Sequence, residues 1–127
     1  MIPGLVDTSV FVGAESRGID LGDLDLDLAV SAVVLGELRL GVLMASTVEA
    51  RSVRLATYEV AASLAPIRID RRVAESWAEL VGALRERGER LEINDSWIAA
   101  TALAHGMTVV TQDADFGVVP GLDLLLL

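Results

Sequence analysis

Apolar residues in this chain form short runs that are separated by longer segments with helical spacing. Each short run is bounded by charged or turn-forming residues, as expected for β-strands buried in a sheet. The predicted strands cover residues 2–6, 28–32, 67–69, 107–111 and 122–127. We expect the last of them to be an edge strand.

The segments between these runs repeat their apolar residues every three or four positions, which predicts helices. The first helix begins after Asp7, with Thr8 or Ser9 available as its cap, and the second covers residues 33–44 with Ser31 as its cap. The other predicted helices cover residues 47–65, 71–87 and 95–104, with caps or stops at Pro66, Asp70, Gly88, Asp95 and Gly106.

Two of the predicted helices have a distinct apolar face. The faces consist of Val53, Ala56, Val60 and Leu64 in one helix, and of Val73, Trp77, Leu80, Val81 and Leu84 in the other. Strands that alternate with helices favour a parallel sheet that is covered on both sides. We therefore predict a single α/β domain over residues 1–127, a three-layer α/β/α sandwich with a mostly parallel central sheet.

Composition narrows the chemistry that such a domain can support. The chain has no cysteine and one histidine, so any metal must be held by oxygen. The net charge is −9 and all ten basic residues are arginine, which argues against nucleic-acid binding by bulk electrostatics. That objection is relieved if cations neutralise the acids and arginines bind phosphate locally.

No apolar stretch is long enough to span a membrane and the start MIPGLVD lacks a secretory signal, so we expect a cytoplasmic protein.

Two acidic residues lie at the ends of predicted strands. Asp7 directly follows the run at 2–6, and Asp113 lies two positions after the run at 107–111. Ligands of open parallel sheets bind beyond the carboxyl ends of the strands, so both carboxylates should reach the same edge. Taken alone, either residue could instead cap the following helix.

Glu37 and Asp95 lie on predicted helices. The residues three and four positions from Glu37 are apolar, namely Val33, Val34, Leu40 and Gly41. Glu37 is therefore expected on a buried stripe, where a carboxylate needs a cation or hydrogen-bond donors. An ion pair with Arg39 is the structural alternative, although residues two positions apart on a helix point in different directions. Asp95 is expected to open its helix, and capping alone could explain it.

Four acids in such positions repel one another, and each raises the pKa of the others. A hard divalent cation removes this conflict, and magnesium favours carboxylates together with retained water. We therefore expect Asp7, Glu37, Asp95 and Asp113 to converge on magnesium or manganese.

Four segments of the chain also resemble, in order and in spacing, the motifs of a known family. They are LVDTSVFV, SAVVLGELRLG, NDSWIAATALAHG and TVVTQDADF. The chain resembles the PIN-domain ribonucleases, in particular the toxin of VapBC-type toxin–antitoxin pairs. The resemblance implies that the four acids are catalytic and hold Mg²⁺ or Mn²⁺, with Asp115 as a less certain fifth ligand. It also implies that the hydroxyls of Ser9 and Thr111 orient carboxylates or water, although local capping would explain both equally well.

The resemblance further implies an activity and partners. The expected reaction is metal-dependent hydrolysis of RNA phosphodiesters that leaves a 5′ phosphate and a 3′ hydroxyl. The expected partners are a second copy of the chain and a small antitoxin whose C-terminal segment covers the acidic pocket. Arg39 is expected at the rim of that pocket, in contact with RNA phosphate or a carboxylate of the partner. The alternative is a PIN-like domain that binds but no longer cuts.

Other conspicuous residues are interpreted as structural. His105 is expected to contact the carbonyls at the end of its helix, and Trp77 and Trp97 to lie in the core or an interface. The acidic run at 20–27 lacks the glycine and the final glutamate of an EF-hand loop. We therefore interpret it as a solvated segment near the antitoxin or dimer surface.

Overall fold

A computed structural model describes all 127 residues and contains a five-stranded sheet in the order β3-β2-β1-β4-β5. Every neighbouring pair of strands is parallel, so the sheet is wholly parallel, and β5 lies at an edge as predicted. The strands are β1 (Ile2–Val6), β2 (Leu26–Ser31), β3 (Pro66–Ile67), β4 (Thr108–Thr111) and β5 (Leu124–Leu126).

Five helices flank the sheet and complete the predicted three-layer α/β/α sandwich. They are α1 (Thr8–Ser16), α2 (Ala32–Met44), α3 (Val48–Ser63), α4 (Arg71–Glu86) and α5 (Ile93–His105). Two short 3-10 turns cover Leu21–Asp23 and Ala114–Val118. The core is a cluster of 20 buried apolar residues, to which the central strands contribute fully buried side chains such as Leu5 and Val109.

Side-chain caps explain most of the helix starts. Ser31 caps α2 by accepting from the Val34 amide, and Asp70 caps α4 by accepting from the Val73 amide, both as predicted. The prediction that Thr8 or Ser9 caps α1 is wrong, because both lie inside that helix. The N-cap position is Asp7, which makes no side-chain capping bond. Its carboxylate is therefore available for other contacts.

The start of α5 also differs from the prediction. Glu92 is the cap and accepts from the Asp95 amide at 3.1 Å, so the helix begins before Asp95. Asp95 lies in the first helical turn and does not open the helix. Glu92 can compete for the cap because a carboxylate three residues ahead of a free amide satisfies it.

Two strands are shifted relative to their predicted ranges. β2 begins at Leu26, so Asp27 of the acidic run at 20–27 lies within the strand and pairs with Pro3. Asp20 caps the turn that follows it, because its side chain accepts from the Gly22 amide. β3 is only Pro66–Ile67, and a proline without an amide donor is tolerated there because β3 is an edge strand.

The apolar face predicted for α3 is mostly exposed, and only Leu64 of its four residues packs against the core. Val53 and Val60 are 50% and 49% exposed, whereas Ala61 is fully buried and Tyr58 is half-buried. The face predicted for α4 is confirmed, with Val73, Leu80 and Leu84 buried against α5 and the sheet. Apolar spacing alone does not say which side of a helix meets the core. None of the helices is both long and apolar enough to cross a membrane.

Candidate active site

The candidate site lies where the strand order changes direction. From β1 the chain moves to β2 and β3 on one side, and then crosses to β4 on the other side of β1. Such a switch point opens a crevice at the carboxyl ends of the two central strands. Asp7 follows β1 directly, and its amide donates to the carbonyl of Val110 in β4 at 2.9 Å. The chain thus ties these two strand ends together at the place where both deliver acids.

Asp7 is only 4% exposed and is held by two hydroxyl groups. The hydroxyls of Ser9 and Thr111 each donate to Oδ2 of Asp7 at 2.8 Å. Ser9 Oγ in turn accepts from the amide of Gln112 at 2.9 Å, and Thr111 Oγ1 accepts from the amide of Asp113 at 3.0 Å. Each hydroxyl therefore bridges the backbone of the β4 end to a buried carboxylate. Both hydroxyls thus contact a carboxylate, while their role in the reaction stays a prediction.

Glu37 is half-buried on α2, and its carboxylate is held by groups that carry no charge. Oε1 accepts from the hydroxyl of Thr8 at 2.8 Å, and Oε2 accepts from the side-chain amide of Asn94 at 3.4 Å. The two ion pairs of the chain are Arg54 with Glu15 and Arg71 with Glu75, so Glu37 has none. These contacts connect α2 to the starts of α1 and α5.

Arg39 does not form the ion pair considered as an alternative for Glu37. Its guanidinium lies over the ring of Tyr58, 5.7 Å from the centroid, and therefore packs toward α3. The expected contact of Arg39 with RNA or a partner stays a prediction.

Asp95 is the carboxyl group on which the other predicted acids act. Its pKa is raised to about 7, first by burial and then by the negative charges of Asp7, Glu92, Asp113 and Glu37. The other three predicted acids thus lie close enough to Asp95 to influence its carboxyl group. Glu92 is a fifth acid that lies beside these four and was not predicted from the sequence.

Asp113 and Asp115 behave differently from one another. Oδ1 of Asp113 accepts from the amide of Asp115 at 2.9 Å and caps the turn Ala114–Val118, so the capping interpretation of Asp113 holds for one of its oxygens. Asp113 also raises the pKa of Asp95, which Asp115 does not. Asp115 is exposed and stands outside this electrostatic cluster.

The acid cluster, defined here as Asp7, Glu37, Asp95 and Asp113, fits a hard divalent cation by its chemistry. Its ligands are oxygens only, and no arginine forms an ion pair with any of them. No three acidic side chains are arranged so that they could hold a metal ion directly as they stand. Magnesium needs only one or two direct carboxylates when it keeps several waters, so the other acids can act through water. Carboxylates that repel one another also separate unless a cation draws them together.

Three residues that complete the site were not predicted. Thr8 and Asn94 position Glu37, and Glu92 caps the helix that carries Asp95. Each lies within three positions of a predicted acid, and Thr8 and Asn94 also stand within the family-like motifs LVDTSVFV and NDSWIAATALAHG. Their partners are up to 57 residues away in the chain.

The residues interpreted as structural make no hydrogen bond to the acid cluster. The rings of Trp77 and Trp97 stack at 4.5 Å with an angle of 7° between their planes, and both are half-buried. His105 ends α5, but its Nε2 has no hydrogen-bond partner. The guanidinium of Arg72 instead binds the carbonyl of Ala104 at that helix end. The expected contact of His105 with these carbonyls is therefore made by Arg72.

Comparisons with known proteins agree with this geometry. The model of the family described as "PIN domain" matches residues 4–122. Ribonuclease VapC4 of Mycobacterium tuberculosis is 49% identical over 122 residues, which cover 95% of this chain and 94% of that protein. Ribonuclease VapC5 of the same organism is 44% identical over 119 residues, or 93% of this chain and 88% of that protein.

Two crystal structures of VapBC complexes are similar over nearly the whole chain. A chain of VapBC-5, a member of the VapBC family of toxin–antitoxin systems from Mycobacterium tuberculosis, matches with a TM-score of 0.87 and 38% identity over all of both chains. A chain of VapBC2 from Rickettsia felis, bound to a DNA fragment from their promoter, matches with a TM-score of 0.85 and 25% identity over 99% of each. Family model, sequence and fold thus agree, and this chain belongs to the PIN-domain family.

Proposed function

We propose that the protein is a Mg²⁺- or Mn²⁺-dependent endoribonuclease and the toxin of a toxin–antitoxin pair. The observation that carries this proposal is the acid cluster, in which Asp7, Glu37 and Asp113 raise the pKa of Asp95 and no carboxylate has a cationic partner. The names of the relatives supply the substrate class, because two proteins more than 40% identical to this chain are called ribonucleases.

The acid cluster has the composition needed to hold the metal. When bound, the metal would lower the pKa of a water molecule and neutralise charge that develops on the phosphodiester. The chain itself supplies fixed carboxylates, since Ser9 and Thr111 hold Asp7 while Thr8 and Asn94 hold Glu37. In metal-free protein near neutral pH, the raised pKa of Asp95 means that this carboxyl group carries a proton in a large fraction of molecules. Metal binding would displace that proton.

The partner proposed for this chain is a small antitoxin, as the titles of the similar VapBC structures suggest. α2 and α3 leave large apolar side chains exposed, among them Leu40, Leu43, Met44, Val48 and Val53. A groove between α1, α2 and α3 is lined by Thr8, Arg54 and Glu37, the last of which belongs to the acid cluster. An antitoxin segment lying along it could cover apolar surface and present a basic residue to the acids. We further place the protein in the cytoplasm as a homodimer.

A cleavage assay tests the proposed activity. Purified protein is incubated with a mixed RNA substrate in magnesium, in manganese and in chelator, beside Glu37→Gln and the control variant Glu49→Gln. Glu49 is an exposed acid at the start of α3 and lies outside the acid cluster. We expect cleavage by the parent protein and Glu49→Gln only with metal, and none by Glu37→Gln. Metal-dependent RNA binding without cleavage would favour the binding-only alternative, and cleavage in excess chelator would refute the mechanism.

A further inference from the structure

A second concave site lies beside the acid cluster. It is a pocket of about 400 Å³ between the C-terminal half of α4, the loop at 87–92 and the first turn of α5. This volume is within the usual range for small-ligand pockets. The helices α4 and α5 run antiparallel, because Arg72 near the start of α4 binds Ala104 near the end of α5. The pocket therefore lies at the end of α5 that carries Asp95.

Glu92 forms a wall shared by the pocket and the acid cluster. It lines the pocket, and its carboxylate accepts from the amide of Asp95 at 3.1 Å. Glu92 would thus be the residue that separates a ligand in the pocket from Asp95 of the acid cluster. A nucleic-acid strand whose phosphodiester lies at the acids could place a neighbouring nucleotide in the pocket.

The charged groups of the pocket are two arginines and two glutamates. Arg85 and Arg90 are exposed and form no ion pair or side-chain hydrogen bond in the structure, although Glu89 also lines the pocket. Glu92 is already engaged with the start of α5. Free guanidinium groups bind phosphate oxygens in pairs of hydrogen bonds, and a free carboxylate can accept from amino groups of bases. In a chain with a net charge of −9, these arginines offer a local phosphate contact.

The apolar part of the pocket contains a fixed aromatic ring. Trp77 lines the pocket with Val81 and Leu84, stacks on Trp97 at 4.5 Å, and donates from Nε1 to the hydroxyl of Ser96 at 2.9 Å. These contacts hold the indole in one orientation, so a base can pack against it without a loss of side-chain freedom. Bases bind aromatic side chains with little regard to sequence.

We propose that this pocket binds a nucleotide of the RNA substrate next to the phosphodiester held at the acid cluster. Arg85 and Arg90 bind the flanking phosphate, and the base lies against Trp77 and the apolar wall. This proposal rests on the ribonuclease function proposed above, for which it names a substrate-positioning site.

Binding of a short single-stranded RNA in chelator tests the pocket without cleavage. The two tryptophans of the chain stack on each other at the pocket, so their fluorescence reports its occupancy. The test variant is Arg85→Ala with Arg90→Ala. The control is Arg17→Ala with Arg68→Ala, two exposed arginines that line no pocket and give the same change in net charge. We expect RNA to quench the fluorescence, and the test variant to weaken binding about tenfold while the control changes it by no more than about twofold.

Two further measurements show whether the arginines act in RNA binding or only in stability, and whether the pocket proposal can fail independently of the proposed function. The melting temperature of the test variant, and its rise with added magnesium, should equal those of the control, because the arginines neither pack in the core nor hold the metal. Equal RNA binding by the two variants overturns the proposal. A test variant that becomes monomeric without weaker RNA binding also overturns it, since the pocket is then a contact between copies. If the parent protein shows no metal-dependent cleavage, the proposed nuclease function is refuted. The difference in RNA binding between the test and control variants would still show whether the pocket binds RNA.

Discussion

Replacing Asp95 with asparagine should stabilise the metal-free protein at pH 8. The pKa of Asp95 is raised from its ordinary value of 3.8 to about 7, so the folded protein holds a proton that the unfolded chain releases. The free energy of unfolding therefore falls as the pH rises from about 4 to about 7, and it stays at its reduced value above about pH 7. Asparagine has nearly the same shape, carries no charge and removes this loss.

The size of the effect follows from the pKa difference and the position of the residue. At about 1.4 kcal/mol per unit of pKa, the difference sets an upper bound of about 4 kcal/mol. Asp95 is only half-buried, and solvent screening reduces this to about 1–2 kcal/mol. The variant also loses a favourable charge in the first turn of α5, worth about 0.5 kcal/mol. A net gain of about 1 kcal/mol corresponds to about 4 °C in melting temperature for a domain of this size.

Thermal melts in chelator at pH 5 and pH 8 provide the assay, with Asp25→Asn as the control because Asp25 is exposed and outside the acid cluster. Asp95→Asn should melt above the parent protein at pH 8, and the difference in melting temperature should shrink at pH 5. Asp25→Asn should melt like the parent protein at both pH values. Magnesium should stabilise the parent protein at pH 8 and have little effect on Asp95→Asn. If Asp95→Asn melts below the parent protein at pH 8 in chelator, or if its effect does not depend on pH, the electrostatic reasoning is wrong.

Five further variants at four residues probe how the acids are held and which of them bind metal. Thr111→Val should lower stability by about 1–3 kcal/mol, because it removes a donor to the buried carboxylate of Asp7, and Thr111→Ser should restore most of the loss in a denaturant melt. Thr8→Val should lower kcat about tenfold with little change in melting temperature, because it frees Oε1 of Glu37, and unchanged kcat would show that this contact is incidental. Asp113→Asn should weaken metal affinity and cleavage together, whereas Asp115→Asn should have the mildest effect of the acid substitutions. If Asp115→Asn loses as much metal affinity and cleavage as Asp113→Asn, Asp115 is one of the metal ligands.

The central strands and the acids at their ends could be predicted because each depends on local sequence. The runs that precede Asp7 and Asp113 are apolar and β-rich, and parallel strands bring their carboxyl ends to one edge. Glu37 could be predicted as an acid among apolar neighbours, and the structure gives it uncharged donors at half burial. In these cases the residue type and its position were sufficient.

The remaining features depend on contacts between distant parts of the chain. Glu92, Asn94 and Asp95 can all cap a helix, and the packing of α5 selects Glu92. In α3, the predicted residues Val53 and Val60 are apolar yet exposed, and the neighbouring Ala61 is buried in the core. A hydrophobic pattern cannot distinguish a face that packs in the core from one that awaits a partner. The predictions are therefore wrong where the local sequence allows several caps or several buried faces and contacts with distant residues determine which one forms.

The central claim, that the acid cluster binds a divalent cation, is tested most directly by calorimetric titration with Mn²⁺. Titrations at pH 6.5 in two buffers of different ionisation enthalpy give the affinity and the number of protons released. We expect saturable binding by the parent protein with release of a fraction of a proton, because Asp95 is partly protonated at this pH. Asp95→Asn should release fewer protons, and Asp7→Asn should bind more weakly. Absence of saturable binding, or equal affinity in the parent protein and Asp7→Asn, would contradict the assignment of this site.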